Sequence, residues 1–572
     1  MPKPITHPLT GTSNTLFYGD NLPILREYIP DESVDLVYLD PPFNSQRVYN
    51  VSLRDETGQE AQAQIEAFKD FWRWDETAQA FDELRETAPA SVVTLMAALR
   101  EIVGETPLLA YLTMMTARLL ELRRVLKSDG SLYLHCDPTA SHYLKIVLDT
   151  IFGADNFRNE ITWKRTFAHG SAKRYAPLHD VILFYSKTDA YHWSNLKTEL
   201  DREYVEKHFT QKDDGTGKYF QPISLTGAGV RKGESGLPWR GINPTNAGRH
   251  WALPGAILKS LNSTEGTVQE RLDVLDSAGR IYWPKKAGGV PRLKWFTDDT
   301  EGGSLADMWT DIPPISAQAA ERMGYPTQKP LALLERIIQA SSEEGDVVLD
   351  PFCGCGTAVV AAQKLNRKWL GIDITHLSIA LMKYRLQDSF ALVGGKDYAI
   401  LGEPEDLASA RQLAKDDRYQ FQFWALSLIG AKPLGGEIGS KQGRKGADKG
   451  VDGYLFFVDA PGETTYKTIV QVKSGHVQDS HIRDLIGAME NEKAPIGVFL
   501  TLEEPTRNML TTAASAGFYS SPTWQKKYPK IQILTIADLF SGKRVETPPA
   551  RNPFKQAERI KRKDGTQSEL GL

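Results

Sequence analysis

The feature that most restricts the fold of this chain is Asp350-Pro351-Phe352-Cys353-Gly354-Cys355-Gly356-Thr357, set between an apolar run at 347–349 and a helical pattern at 357–364. Glycines at a strand-to-helix junction let the backbone approach a ligand, and the helix start offers unpaired N–H groups. The next apolar run, 369–372, ends in Gly371-Ile372-Asp373. This puts a carboxylate where a nucleoside-binding α/β fold meets a ribose hydroxyl pair. A plain tight turn is the alternative for the glycines taken alone.

A strand expected at 34–39 stops at Asp40-Pro41-Pro42-Phe43. Consecutive prolines fix a rigid loop, their carbonyls stay available as acceptors, and Phe43 offers a flat face for stacking. The amino group of a base needs such acceptors and such a ring; a proline turn capped by a core Phe is the plainer reading. Before it come a strand at 16–18, a turn at Gly19-Asp20 and a helix at 24–28. After it come a helix at 108–126 ending at Ser128-Asp129-Gly130, a strand at 132–135 and helices at 143–152 and 330–341. Buried strands that end in polar residues and alternate with helices predict a parallel α/β sheet.

At 572 residues, 41% hydrophobic and 24% charged, the chain reads as a globular protein of two to four domains. The net charge of -4 excludes nothing, but its distribution is uneven. Residues 51–90 carry four basic and ten acidic groups and read as a solvated, partly helical insertion. Residues 164–259 carry fifteen Lys or Arg against nine Asp or Glu, interleaved with aromatics and five histidines. Within them Arg231-Lys232, Pro238-Trp239-Arg240 and Arg249-His250-Trp251 suit phosphate contact and base-edge reading. Three cysteines, Cys136, Cys353 and Cys355, fit a reducing cytoplasm, and no apolar run is long enough to span a membrane.

Beyond about 410 a second unit is expected, with a helix at 421–429, a Gly/Lys-rich turn at 435–450 and strands at 454–458, 468–472 and 496–500. Asp452 precedes the first of these strands, and Gln471-Val472-Lys473 lies in the second. Adjacent strands would gather a carboxylate, an amide oxygen and an ammonium, suited to Mg²⁺ at Asp452, Gln471 and a backbone carbonyl, with Lys473 positioning water. A hairpin with ordinary surface charges is the alternative. The tail, 546–572, is basic and expected to be mobile.

Residues 14 to about 385 resemble an amino-methylating DNA methyltransferase of the β class, in which the catalytic motif precedes the cofactor motif. Asp40-Pro41-Pro42-Phe43 resembles the catalytic tetrapeptide, Asp350 to Thr357 the cofactor loop, and Tyr325-Pro326-Thr327-Gln328-Lys329-Pro330 the element before it. The resemblance implies a Rossmann-like, circularly permuted sheet, the strand at 16–18 supplying the missing neighbour of 369–373. It implies S-adenosylmethionine as cofactor, met by Asp20, Thr327, Lys329, Asp350, Phe352, Gly354, Gly356, Thr357 and Asp373. The acceptor is then a flipped base in double-stranded DNA, adenine N6 before cytosine N4 because Asp leads the tetrapeptide. Asp40 and the Pro41 carbonyl orient the amino group, and Phe43 stacks on the ring. The segment 164–311 falls where this class carries its target-recognition region, with Arg231, Lys232, Arg240 and Arg249 as its DNA contacts.

The C-terminal unit resembles the Mrr-like branch of the PD-(D/E)xK nucleases, which uses Gln before the Lys. The chain departs from that pattern at Gln420 and Gln422, where a helical Glu often completes the metal site. The expected organisation is a methyltransferase domain over 1–410 and a nuclease domain over 411–545. Together they imply a one-chain restriction-modification enzyme. Two alternatives stay open, a methyltransferase with a silent nuclease-like module and a nucleic-acid-binding protein whose α/β domain merely holds a nucleotide. Monomer or homodimer is likewise open.

Overall fold

The computed structural model describes residues 14–42, 48–54, 60–69, 73–167, 175–198, 200–285, 289–300, 302–316, 319, 321–323, 325, 327–433, 450–459, 465–548 and 550–551. Phe43, Pro326, the turn at 435–449 and the tail beyond 551 lie outside the described residues. The chain divides into two compact units, Asn195–Ala306 and the remainder.

The remainder holds a nine-stranded sheet. Its strands are β1 (Thr15–Tyr18), β2 (Val34–Leu39), β3 (Leu126–Cys136), β4 (Phe157–Lys164), β5 (His179–Ser186), β6 (Met308–Trp309), β7 (Val347–Asp350), β8 (Lys368–Asp373) and β9 (Ala399–Leu401). Their spatial order is β6-β4-β5-β3-β2-β7-β8-β1-β9. Strands β3, β2, β7, β8, β1 and β9 run parallel, and β5 is antiparallel to both its neighbours. β1 lies beside β8 with Leu16 opposite Gly371, so the permuted topology closes as expected.

Successive residues of a strand face opposite sides, and here both sides are covered. Phe17, Val37, Leu39, Leu132 and Leu349 pack toward α1 (Asn21–Tyr28) and α2 (Pro107–Val125). Leu16, Leu36, Tyr38, Tyr133 and Val348 pack toward α3 (Leu331–Ser341), α4 (Thr357–Lys364) and α5 (His376–Phe390). The chain leaving β7 enters α4 on one face, whereas the chain leaving β2 returns through α2 on the other. The β2/β7 boundary is therefore the switch point, where a crevice opens at the carboxyl ends of the strands.

Two elements differ from their sequence reading. The turn at Ser128-Asp129-Gly130 does not end a helix; α2 stops at Val125 and these residues bulge within β3, whose pairing with β2 jumps from Val34↔Leu126 to Leu36↔Ser131. The insertion at 51–90 combines a hairpin, Val48–Arg54 with Glu60–Lys69, and the helix Trp74–Thr87.

The inserted unit is shorter than the 164–311 span because β4 to β6 belong to the principal sheet. It has its own four-stranded antiparallel sheet and the helix Val268–Ser277, around Leu225, Trp239, Trp251, Leu272, Leu275 and Leu293.

The C-terminal part is built on α6 (Leu407–Asp416), α7 (Arg418–Leu428), α8 (Asp479–Glu492) and a six-stranded sheet. Its strands are β10 (Lys432–Pro433), β11 (Gly453–Val458), β12 (Thr465–Lys473), β13 (Ile496–Thr501), β14 (Ile531–Thr535) and β15 (Ala550–Arg551). The segment expected to be a mobile tail begins in order: Gln532 exchanges two hydrogen bonds with the Glu546 backbone, and β15 pairs with β11.

Candidate active sites

The switch-point crevice is a cavity of about 1300 Å³. Small-molecule sites commonly occupy about 300–1,000 Å³, so this one has room for two ligands side by side. Asp40, Pro41 and Pro42 form one part of its wall, and Asp350, Phe352, Gly354, Thr357 and Asp373 another. Asp20, Thr327 and Lys329 also line it. Of the expected cofactor residues, Gly356 does not: it starts α4 at φ +76°, and a Cβ there would lie 2.5 Å from Met382 Cγ. It is a packing glycine. Gly354 does line the cavity, with φ +50° and a would-be Cβ 3.0 Å from the Tyr325 ring. The Tyr325 hydroxyl accepts from the Ser378 hydroxyl on α5 at 3.2 Å.

Asp40 is held by a lysine. Its Oδ2 accepts from Lys329 Nζ at 2.5 Å, and the ammonium also reaches the Thr327 carbonyl at 3.3 Å. Lys329, which also lines the cavity with the expected cofactor residues, is thus tied to the Asp40 loop. Asp20 accepts from Leu22 N at 2.9 Å and from Arg118 at 2.7 Å, which fixes its carboxylate at the cavity rim. Asp373 accepts from Gly354 N and Thr375 N, each at 2.9 Å, and from the Thr375 hydroxyl at 3.0 Å. Burial nevertheless holds the Asp373 carboxyl above its ordinary range. Burial, with Asp40 and Asp373 adding repulsion, pushes Asp350 well above its own. Burial likewise raises the thiols of Cys136, Cys353 and Cys355, which suits packing rather than nucleophilic roles.

Behind Asp40 lies a polar chain that no motif marked. Tyr38 Oη meets His135 Nδ1 at 3.0 Å, His135 Nε2 meets Asp180 Oδ2 at 3.1 Å, and Arg165 pairs with Asp180 at 3.0 Å. Burial opposes ionisation of Asp180, but the His135 hydrogen bond with Lys329 and Arg165 nearby hold its carboxyl below the usual range. The available sequence signals were a histidine interrupting the apolar run of β3 and His179-Asp180 opening that of β5.

In the inserted unit the four expected DNA contacts separate. Arg231 and Lys232 are exposed. Arg240 instead pairs with Asp273 and Asp276 and lies over Trp239, which stacks on Trp283. Arg249 donates to the Thr226 hydroxyl and carbonyl, each at 2.7 Å. Arg249 is thus tied within the unit, whereas Arg240, though paired, is itself exposed.

In the C-terminal sheet Gly453 lies opposite Val470, which places Asp452 opposite Gln471, with Lys473 two residues on along the same face. Asp452 Oδ2 accepts from Val472 N at 2.6 Å. Gln471 Oε1 is buried and accepts no hydrogen bond among the described residues. An orphaned amide oxygen opposite a carboxylate fits a divalent cation. No cluster of three His, Cys, Asp or Glu able to hold a metal exists among the described residues. Gln420 Oε1 accepts from the His376 backbone N–H at 2.9 Å, across to the methyltransferase part.

Residues 34–383 match the family model described as DNA methylase, of the N6/N4 type, and residues 419–518 match one described as restriction endonuclease, the Mrr catalytic domain. The chain belongs to the N6/N4 DNA methylase family and carries a restriction endonuclease domain. It is 37% identical over 265 residues to Type II methyltransferase M.EcaI of Enterobacter cloacae, covering 46% of this chain and 54% of that protein. It is 27% identical over 378 residues to the Mod subunit of the Type III restriction-modification enzyme StyLTI of Salmonella typhimurium, covering 63% and 51%. The chain thus spans about half the length of these curated relatives. Among solved structures it is similar to the cytosine-N4-specific PvuII DNA methyltransferase, at 14% identity over 66% of this chain and 88% of that one, with a TM-score of 0.33. No described helix is long and apolar enough to cross a membrane.

Proposed function

We propose that the chain transfers a methyl group from S-adenosylmethionine to the N6 of an extruded adenine in double-stranded DNA, and that its C-terminal domain cleaves DNA with Mg²⁺. The observation that carries this reading is the shared cavity, in which the Asp40 loop and the Gly354/Asp373 loop face one space at the carboxyl ends of β2, β7 and β8. When bound, S-adenosylmethionine supplies an electrophilic methyl on a sulfonium. The carboxylates of Asp350 and Asp373 favour a cation there. Asp40 and the Pro41 carbonyl accept the two hydrogens of the base amino group, which turns its lone pair toward the methyl. Lys329 offsets the charge of Asp40 and fixes its rotamer. The choice of adenine rests on the Asp that leads the tetrapeptide.

In the C-terminal domain Asp452 and Gln471 would hold Mg²⁺, which would stabilise the negative charge developing on a phosphodiester. Lys473 positions the attacking water. Arg231 and Lys232 contact DNA phosphate.

Asp40→Ala tests the methyl-transfer assignment. It should lower transfer at least about 10³-fold and leave the cofactor Kd within about threefold, since it removes the group that orients the acceptor. Near-normal turnover would show that the loop is not catalytic.

A further inference from the structure

The cavity of the methyltransferase part is walled on one side by the nuclease part. Gln412 and Leu413 of α6, with Tyr419, Gln420 and Phe423 of α7, line it together with Asp373 and Ile374 at the end of β8. Two of these are exposed apolar groups, Ile374 at 60% and Tyr419 at 45%, one from each part. An apolar ring bound in this part of the cavity would cover both. The joint between the parts is built: Gln420 Oε1 caps the His376 N–H at 2.9 Å, one of the first-turn donors of α5 that helical bonding leaves unpaired. The His376 ring stacks on Tyr18 with centroids 3.6 Å apart, and Glu403, which faces it, is tied to Lys383 at 2.6 Å. The start of α7 is thereby fixed against His376, the residue that follows the loop Asp373-Ile374-Thr375.

We infer that the cofactor site is composite. The purine of S-adenosylmethionine lies between Ile374 and Tyr419, with the exposed amide of Gln412 as its hydrogen-bonding partner, so the nuclease domain supplies part of the methyltransferase's binding energy. Gln412 Nε2 gives one hydrogen to Asp416 at 2.7 Å, which leaves its second hydrogen and its oxygen to match the adjacent ring nitrogen and amino group of adenine. Asp373 meets the ribose, which sets the purine beyond it, toward Ile374 and α7. Binding is reciprocal: a cofactor that touches α6 and α7 must stabilise them as much as they stabilise it. This inference rests on the proposed use of S-adenosylmethionine.

The test is calorimetric titration of the full-length protein with S-adenosylhomocysteine and with adenosine. Tyr419→Ala and Gln412→Ala should each raise both Kd values about tenfold, the order of losing one aromatic stack on a base. Phe518→Ala, an exposed aromatic of the same domain that does not line the cavity, serves as control and should change neither. Hydrogen exchange on the unaltered protein adds a readout free of folding artefacts: saturating S-adenosylhomocysteine should slow exchange in 407–428 as well as in 350–376. Binding by the wild type with unchanged Kd in both variants, or protection confined to 350–376, overturns the composite site. No binding by the wild type at all overturns the proposed cofactor instead.

Discussion

At the residue scale the site is a set of carboxylates held in unfavourable surroundings. Burial raises Asp350 and Asp373 above the ordinary value of 3.8, so the folded protein binds their protons more tightly than the unfolded chain. Between the ordinary and the raised pKa the ligand-free fold therefore gains stability as pH falls, and above the raised pKa it bears the cost of two buried charges. A cationic ligand reverses the preference. The affinity for S-adenosylmethionine is expected to weaken as pH is lowered through the raised carboxyl range, and that for the thioether S-adenosylhomocysteine to weaken less. Titration of both ligands at several pH values checks this; parallel profiles would show that neither carboxylate faces the sulfonium. These residues were legible in the sequence because each belongs to a short motif whose chemistry is local. The Lys329–Asp40 pair was not, since its members are 289 positions apart and meet only in the folded chain.

At the scale of elements, alternation of apolar runs with helical periods was enough to give the parallel sheet, and the polar strand ends gave the crevice. What the pattern missed was tertiary. β3 absorbs Ser128-Asp129-Gly130 as a bulge, and the Gly130 carbonyl pairs with the Lys187 N–H instead of ending a helix. In the inserted unit, arginines beside tryptophans look alike in sequence. The helix Val268–Ser277 brings Asp273 and Asp276 to Arg240, while Thr226 takes Arg249. The proposed phosphate contacts are then the exposed Arg231 and Lys232. Replacing both with alanine is expected to lower the slope of log affinity against log salt by about 1.8, at about 0.9 for each lost contact. Arg240→Ala should leave that slope unchanged and lower the melting temperature of the protein. A salt titration of duplex binding decides between them, and a reduced slope in Arg240→Ala alone would return the contact to Arg240.

At the scale of the whole molecule, the sequence distinguished two chemistries but not their junction. A glutamine where a nuclease helix often has a glutamate reads as a loss. In the structure Gln420 is engaged instead in capping α5 beside the cofactor cavity. The nuclease face keeps Asp452, Gln471 and Lys473 on adjoining strands, so Lys473→Ala is expected to end cleavage and leave methyl transfer near normal, while Asp40→Ala does the reverse. The central claim is that one chain both marks and cuts DNA. Its most direct measurement is to incubate the purified protein with unmethylated duplex DNA, Mg²⁺ and methyl-labelled S-adenosylmethionine, then to follow strand scission and digest the DNA to nucleosides. The account predicts label in N6-methyladenine together with Mg²⁺-dependent cleavage that Lys473→Ala removes and Asp40→Ala does not. DNA that is labelled but never cut, or cut but never labelled, would contradict it.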